Sequence, residues 1–194
     1  MADLIALWHA EHARFARLLE VLEEQLAQFE TDGSPLFGLM LDIVSYLKEQ
    51  SDRFHHPRED VAFECMVRHD PTLRLPINRL LQEHRAIAVA GDELTTHLNE
   101  VIVENVVERA TVESAVALYL SYYRHHLATE ENEILPRAAN LMTAQDWQTV
   151  ASAVASGADP LFGPKPEERY RELREFLDAR EHARRASRGT SKAG

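Results

Sequence analysis

Four histidines stand beside carboxylates at spacings that can hold metal ions. His55 is followed four residues later by Glu59, and His126 four residues later by Glu130. On a helix, such a pair shares one face. His12 and His84 each follow a glutamate, in Glu11-His12 and Glu83-His84. The intervals echo one another, with 43 residues from His12 to His55 and 42 from His84 to His126. Each second site carries a doubled histidine, in HHPRED and HHLATEE. A glutamate buried among imidazoles is costly unless it is paired or metal-bound. The candidate ligands are therefore His12, His55, Glu59, His84, His126 and Glu130. Nitrogen and oxygen donors without sulfur suit iron, manganese or zinc. Two carboxylates can bridge two ions, with imidazoles as terminal ligands. Iron is preferred, because helix bundles are known to build di-iron carboxylate sites. A single structural zinc needs only four ligands and would leave two of these groups unexplained.

The elements that must position them are helices. Ile5, Trp8, Phe15, Leu19, Leu22, Leu26 and Phe29 form an apolar stripe that predicts a helix over residues 3–30. Gly33 is expected to close it in the left-handed conformation. Ser34 should cap a second helix, with Pro35 in its first turn, that runs to His69. Asp70-Pro71 repeats that device ahead of a third helix ending near Leu98, followed by a crossover over 99–110. Thr111 is expected to cap a fourth helix reaching Ala139, and Thr143 with Asp146 a short helix that stops at Gly157. Residues 167–185 read as a charged helix with Tyr170, Leu173 and Leu177 as its seam, and the tail SRGTSKAG as frayed. A rise of about 1.5 Å per residue puts His12 and His55 at one height, roughly 27 Å from the first turn. The same count brings His84 to that height, and His126 reaches it if the bent crossover takes up a surplus of about 10 residues. The expected fold is all-α: an antiparallel up-down-up-down four-helix bundle over residues 1–140, with extra C-terminal helices. A short helix and linker follow over 141–164, and the charged helix and tail over 165–194. The proline-rich stretch DPLFGPKPEE marks that last boundary.

Composition narrows the function classes. The chain has 194 residues, a net charge of -11 and a single cysteine, Cys65. One cysteine excludes an intrachain disulfide and a cysteine-built zinc cluster. An acidic surface repels phosphates, so no nucleic-acid partner is expected. No apolar run approaches the length of a membrane span, so no membrane partner is expected. The opening MADLIALWHAEH has no basic stretch leading into an apolar one, which argues against a signal peptide and for a cytoplasmic protein.

The segments EHARF, FHHPREDVAF, LLQEHRAI and YRHHLATEENEILP together resemble the hemerythrin-like, HHE cation-binding domain family, over residues 1 to about 140. The resemblance implies a non-haem di-iron site in a four-helix bundle. One iron would be held by His12 and His55, the other by His84 and His126. Glu59 and Glu130 would bridge the two ions together with an oxo or hydroxo group. The oxygen-carrying members have a histidine one turn after the third-helix ligand, where this chain has Ala88. The resemblance thus points to an iron with a more open coordination sphere, and to a protein that binds or senses oxygen, nitric oxide or peroxide, or handles iron. The alternatives are an iron-dependent oxidoreductase, or an interaction protein in which the metal is a folding staple or sensor. In the latter, the C-terminal helix would dock a partner or a second copy in a homo-oligomer.

Other residues have plainer expectations. His56 and His125 should point about 100° away from their ligating neighbours, toward solvent or an outer layer. A competing register pairs His56 with Asp60 and His125 with Glu130. His9 lies one turn from His12. Tyr119, Tyr122 and Tyr123 lie near the metal level, and one of them is a candidate hydrogen-bond donor to a bound oxygen species. Cys65 reads as core filling. Pro57, inside the second helix, should kink it just before the site or mark a joint between two segments.

Overall fold

The computed structural model describes residues 4–31, 33–154 and 157–190. All regular structure among them is helical, in the order α1 (Leu4–Glu30), α2 (Phe37–Leu47), a π-helical stretch (Lys48–His55), α3 (His56–His69), a 3₁₀ turn (Pro71–Leu73), α4 (Arg74–Ile102), α5 (Arg109–Thr129), a second π stretch (Glu130–Ile134), α6 (Leu135–Leu141) and α7 (Ala144–Ala153). A 3₁₀ turn (Glu168–Tyr170) and α8 (Arg171–Thr190) complete the chain. The chain divides into two compact units, residues 1–156 and 157–194.

The first unit is a four-helix bundle. Its second rod is α2, the first π stretch and α3 end to end, and its fourth is α5, the second π stretch and α6. Helix α1 packs on α2 and α5, and α4 packs on the same two. The apolar stripe of α1 faces inward, with Trp8, Phe15, Leu18, Leu19 and Leu22 buried. A fully buried side chain of this size contributes about 1.5–3 kcal/mol. Trp8, Phe63, Cys65, Met66, Leu80 and Ile134 form one apolar cluster, and Phe15, Ile43, Val44, Leu94 and Val116 are buried elsewhere in the bundle. Cys65 is core filling as expected, with the Arg68 guanidinium donating to its sulfur at 2.9 Å. Among the described residues no helix is long and apolar enough to cross a membrane.

Several helix ends differ from expectation. Gly33 does not adopt a positive φ. Its N–H instead reaches back to the Gln28 carbonyl at 2.9 Å. Ser34 is not the cap of α2: the helix starts at Phe37 with Leu36 in the capping position and no side-chain cap. The Leu36 N–H is satisfied from the first helix, by Gln25 Oε1 at 2.9 Å. A tertiary hydrogen bond has replaced the local one.

The crossover is also shorter than expected, because α4 continues to Ile102 and α5 begins at Arg109. Glu104 ends α4 at φ 61°, with the N–H of Asn105 on the Glu100 carbonyl at 2.9 Å. That is the left-handed closure usually given to glycine. Thr111 therefore lies inside α5, and Glu108 takes the N-cap position without a side-chain hydrogen bond. The Thr143–Asp146 capping box is present in full, although α7 ends at Ala153 rather than Gly157.

Pro57 does mark a joint. It falls in the first turn of α3, directly after the π stretch, where the His56 N–H already reaches back five residues to the Ser51 carbonyl. Pro136 sits likewise in the first turn of α6, after the second π stretch. A π turn widens the helix and carries one residue more than a regular turn, so it rotates the side chains beyond it. Both rods that carry a candidate His–Glu pair are adjusted in this way.

In the second unit, the Asp159 carboxylate accepts the N–H groups of Leu161 and Phe162 at 2.9 and 2.7 Å. Helix α8 then runs to Thr190, further than expected, with Leu173 and Leu177 buried. The end of the tail read as frayed, residues 191–194, lies outside the described residues.

Candidate metal centre

All six candidate ligands are buried, Glu59, His126 and Glu130 completely. The first comes from α1, His55 and Glu59 from the second rod, His84 from α4, and His126 and Glu130 from the fourth rod. The imidazole edges converge: His12 Nε2 and His55 Nε2 are 2.8 Å apart. Glu59 lies 3.2 Å from His55, 3.6 Å from His12 and 3.8 Å from His84. Glu130 lies 3.3 Å from His126, 3.5 Å from His12 and 3.7 Å from His84. Both carboxylates thus stand between the imidazoles of both hairpins.

Two groups of potential ligand atoms emerge, each within 4.8 Å internally: His12, His55, Glu59 and Glu130, and His56, Glu59, His84 and His126. Glu59 belongs to both. His56 was expected to face outward, but it is 4% exposed, with its ring stacked on His84 at 4.0 Å and 9°. The sequence signal for it was the doubled histidine, which alone cannot say which member turns inward. Its competing partner Asp60 is engaged elsewhere, at 2.8 Å from His84 Nδ1. His125 is exposed and lies 3.6 Å from Glu83 rather than on Glu130. His9 is also exposed, bonded to Glu131 at 2.7 Å.

The outer nitrogens reveal a layer the sequence did not disclose. Glu11 of α1 holds His55 Nδ1 at 2.7 Å. Asp60 of the second rod holds His84, and Glu83 of α4 lies 3.3 Å from His126 Nδ1. Glu131 of the fourth rod holds His12 Nδ1 at 2.7 Å. Each bundle helix therefore orients the imidazole of the next, in a closed ring. A carboxylate on Nδ1 fixes the tautomer that leaves the Nε2 lone pair free for a metal, and makes it a better donor.

The inner atoms lack partners. Both oxygens of Glu59, both of Glu130, and Nε2 of His84 and His126 have no hydrogen-bond partner. Burying two carboxylates costs several kcal/mol each unless positive charge offsets it. In the protein alone, only the imidazoles can supply that charge. Burial pushes His55 down, but the Glu59 carboxylate and the Glu11 hydrogen bond outweigh it and raise it to about 10. Burial likewise opposes the rise of His84, and its hydrogen bond to Asp60, with the negative charge of the nearby Glu130 and Glu59, carries it to about 9. His12 is raised against its burial by Glu59. Burial would raise Glu59, yet His55 and His12 hold it well below the usual carboxylate range. His56 goes the other way: burial, then His84 and His126, push it well below the ordinary imidazole value. Cations at the centre would replace the imidazole protons. The unpartnered donor set, two bridging-capable carboxylates among Nε2 lone pairs, fits two metal ions.

The Hemerythrin HHE cation binding domain family matches residues 3–138. The chain belongs to that family. Comparison with curated proteins yields no match, and neither does comparison with solved structures. In this hemerythrin-family bundle the apolar walls lie close to the imidazoles, with Phe15 at 5.2 Å and Trp8 at 6.4 Å from the His55 ring centroid. Tyr119 and Tyr123 are buried and Tyr122 is exposed. Tyr123 packs on Phe15 and lies 6.5 Å from the His56 ring. Burial raises both buried phenols well above their ordinary value, so they stay protonated donors.

Proposed function

We propose that this protein is a non-haem di-iron protein that binds or senses a small ligand (oxygen, nitric oxide or peroxide) or handles iron. His12 and His55 would hold one ion and His84 and His126 the other, with Glu59 and Glu130 spanning the pair. The observation that carries this reading is the set of four fully buried carboxylate oxygens of Glu59 and Glu130 that no protein group satisfies. Nitrogen and oxygen donors in a helix bundle favour iron. Iron, when bound, supplies the redox chemistry and an open position for a diatomic ligand.

The chain's own residues do the rest. Glu11, Asp60, Glu83 and Glu131 orient the imidazoles. Trp8, Phe15 and Phe63 are apolar, fully buried neighbours of the imidazoles and keep bulk water from them. Tyr123 holds its phenolic proton beside the site.

Optical spectroscopy tests the reading. Iron-loaded protein, reduced without air and then exposed to oxygen or nitric oxide, should develop new absorption bands. The same orphaned carboxylates favour a second reading, in which the ions chiefly neutralise buried charge and staple the bundle. A spectrum unmoved by either gas, with full iron loading and a large rise in melting temperature, would select it.

A further inference from the structure

We propose that His9 and Glu131 form an outer landing site for a divalent cation, at the mouth of a groove between α1 and the fourth rod through which ions reach the buried centre. The inference rests on the di-metal reading above and concerns how the ions arrive rather than what finally holds them.

The groove encloses about 420 Å3, and His9, His12, Ala13, Ala16, Ala128 and Glu131 line it. At its mouth the exposed His9 offers Nδ1 at 2.7 Å from Glu131 Oε2. A nitrogen and an oxygen donor at that separation suit one divalent ion. The walls at Ala13, Ala16 and Ala128 carry nothing larger than a methyl group. His12 closes the groove inward: it is a candidate ligand, and its side chain is 4% exposed. Its Nε2 lies 3.5 Å from Glu130 Oε2, a buried oxygen with no hydrogen-bond partner. One imidazole thus separates the groove from an orphaned carboxylate.

Glu131 links the mouth to the centre. Its Oε1 holds His12 Nδ1 at 2.7 Å while its Oε2 meets His9. A cation taken up by His9 and Glu131 competes with His12 for that carboxylate, and so loosens the outer hold on the imidazole that bars the way. The second hairpin has the same residue types in another setting. His125 lies 3.6 Å from Glu83, and Glu83 3.3 Å from His126 Nδ1. The groove beside them, of about 320 Å3, is lined by Arg79, whose charge repels cations. His126 is fully buried and does not line it.

Cobalt(II) is a suitable probe, because it quenches tryptophan fluorescence and Trp8 lies 6.4 Å from the His55 ring. Metal-free wild-type protein mixed rapidly with cobalt(II) should bind two ions, and a chelator added afterwards gives the rate of release. His9→Ala should slow loading by about tenfold or more, the low end of what local capture of a counter-ion adds to an on-rate. Release should slow by the same factor, because a residue on the path but outside the final site changes the barrier and neither end state. Stoichiometry and equilibrium affinity should stay as in the wild type. Ala128→Leu, which narrows the passage, should give the same pattern, and His125→Ala should keep the wild-type rates. Loading of His9→Ala at the wild-type rate would overturn the proposal and leave the di-metal reading intact. A loss of affinity with faster release would overturn it too, since His9 would then support the final site. Fewer than two ions in the wild type would remove the foundation of both readings. The Ala128→Leu rates decide the matter if His9→Ala fails to fold.

Discussion

The two helical hairpins of the bundle carry nearly the same residues and use them differently. The first contributes Glu11, His12, His55, His56, Glu59 and Asp60, and the second Glu83, His84, His125, His126, Glu130 and Glu131. Three positions correspond in role: Glu11 orients His55 as Glu83 orients His126, and Glu59 and Glu130 both lie at the centre. The doubled histidines break the correspondence. Both are buried in the first hairpin, whereas in the second the His125 side chain is 73% exposed. The cause is where the helix widens. In the first hairpin the π stretch comes before Glu59 and ends on His55, while in the second it begins at Glu130, after the histidines. A near-repeat in sequence has become two hairpins with differently buried histidine pairs through the placement of one widened turn.

Removing what the hairpins share should have the largest effect. Glu59→Gln and Glu130→Gln are each expected to cut metal affinity by on the order of 100-fold or more, leaving less than one ion per chain after dialysis. Elemental analysis checks this, and unchanged loading in both variants would mean the two carboxylates do not hold metal. The orienting ring should cost less. Glu11→Gln, Glu83→Gln and Glu131→Gln are expected to lower affinity by about 10–100-fold each. Similar losses from the two hairpins would confirm their equivalence in this layer.

The pH dependence of the metal-free protein sharpens the comparison further. Both His55 and His84 have folded-state values above the ordinary 6.5, near 10 and 9 respectively. The stability they confer is full below about pH 6.5 and is lost as pH rises through those values. The melting temperature of metal-free protein should therefore fall between pH 7 and 10, with the second hairpin's imidazole releasing its proton first. Metal-loaded protein should not follow, because its imidazoles are already deprotonated. Metal binding at pH 7 should accordingly release protons, seen as a buffer-dependent heat in calorimetry. A buffer-independent heat would count against charged imidazoles in the empty centre.

The smallest effect concerns the end of the first hairpin. His69, on the last turn of α3, bonds Asp146 at 2.8 Å, and Asp146 also caps α7 through Thr143. Those hydrogen bonds, from Thr143 first and His69 next, hold the Asp146 carboxyl well below the usual range. Asp146→Ala should cost about 1–2 kcal/mol near neutral pH. The difference should shrink as pH falls below about 4, where the wild-type carboxylate begins to take up its proton in the unfolded chain. Denaturant unfolding at pH 7 and pH 3 would measure both.

Local chemistry made much of this legible beforehand. Periodic apolar residues announced the helices, because burial of one face is what stabilises a helix in a bundle. Counting about 1.5 Å per residue brought His12, His55 and His84 to one height, with His126 joining them through an inferred crossover, and the i,i+4 rule selected Glu59 and Glu130. The Thr143–Asp146 box was visible because both of its partners lie within one turn. What failed needed a partner from elsewhere in the fold. The start of α2 was misplaced because Gln25 of α1, not Ser34, satisfies its backbone. The crossover was overestimated because Glu104 accepts a conformation its residue type disfavours.

The site divides in the same way. The convergence of the six candidate ligands could be read from spacing, since each His–Glu pair is fixed by its own helix. The ring of outer carboxylates could not, because every link in it joins two different helices. Which histidine of each pair turns inward also escaped a count based on uniform helices. Neighbouring residues differ by 100° on a regular helix, and a single widened turn decides the rotation. Sequence alone determined that four helices would bring imidazoles and glutamates to a common depth. Tertiary packing decided how far each rod is turned there, because only contacts between helices can hold a π turn and fix the orientation of a side chain from outside its own rod.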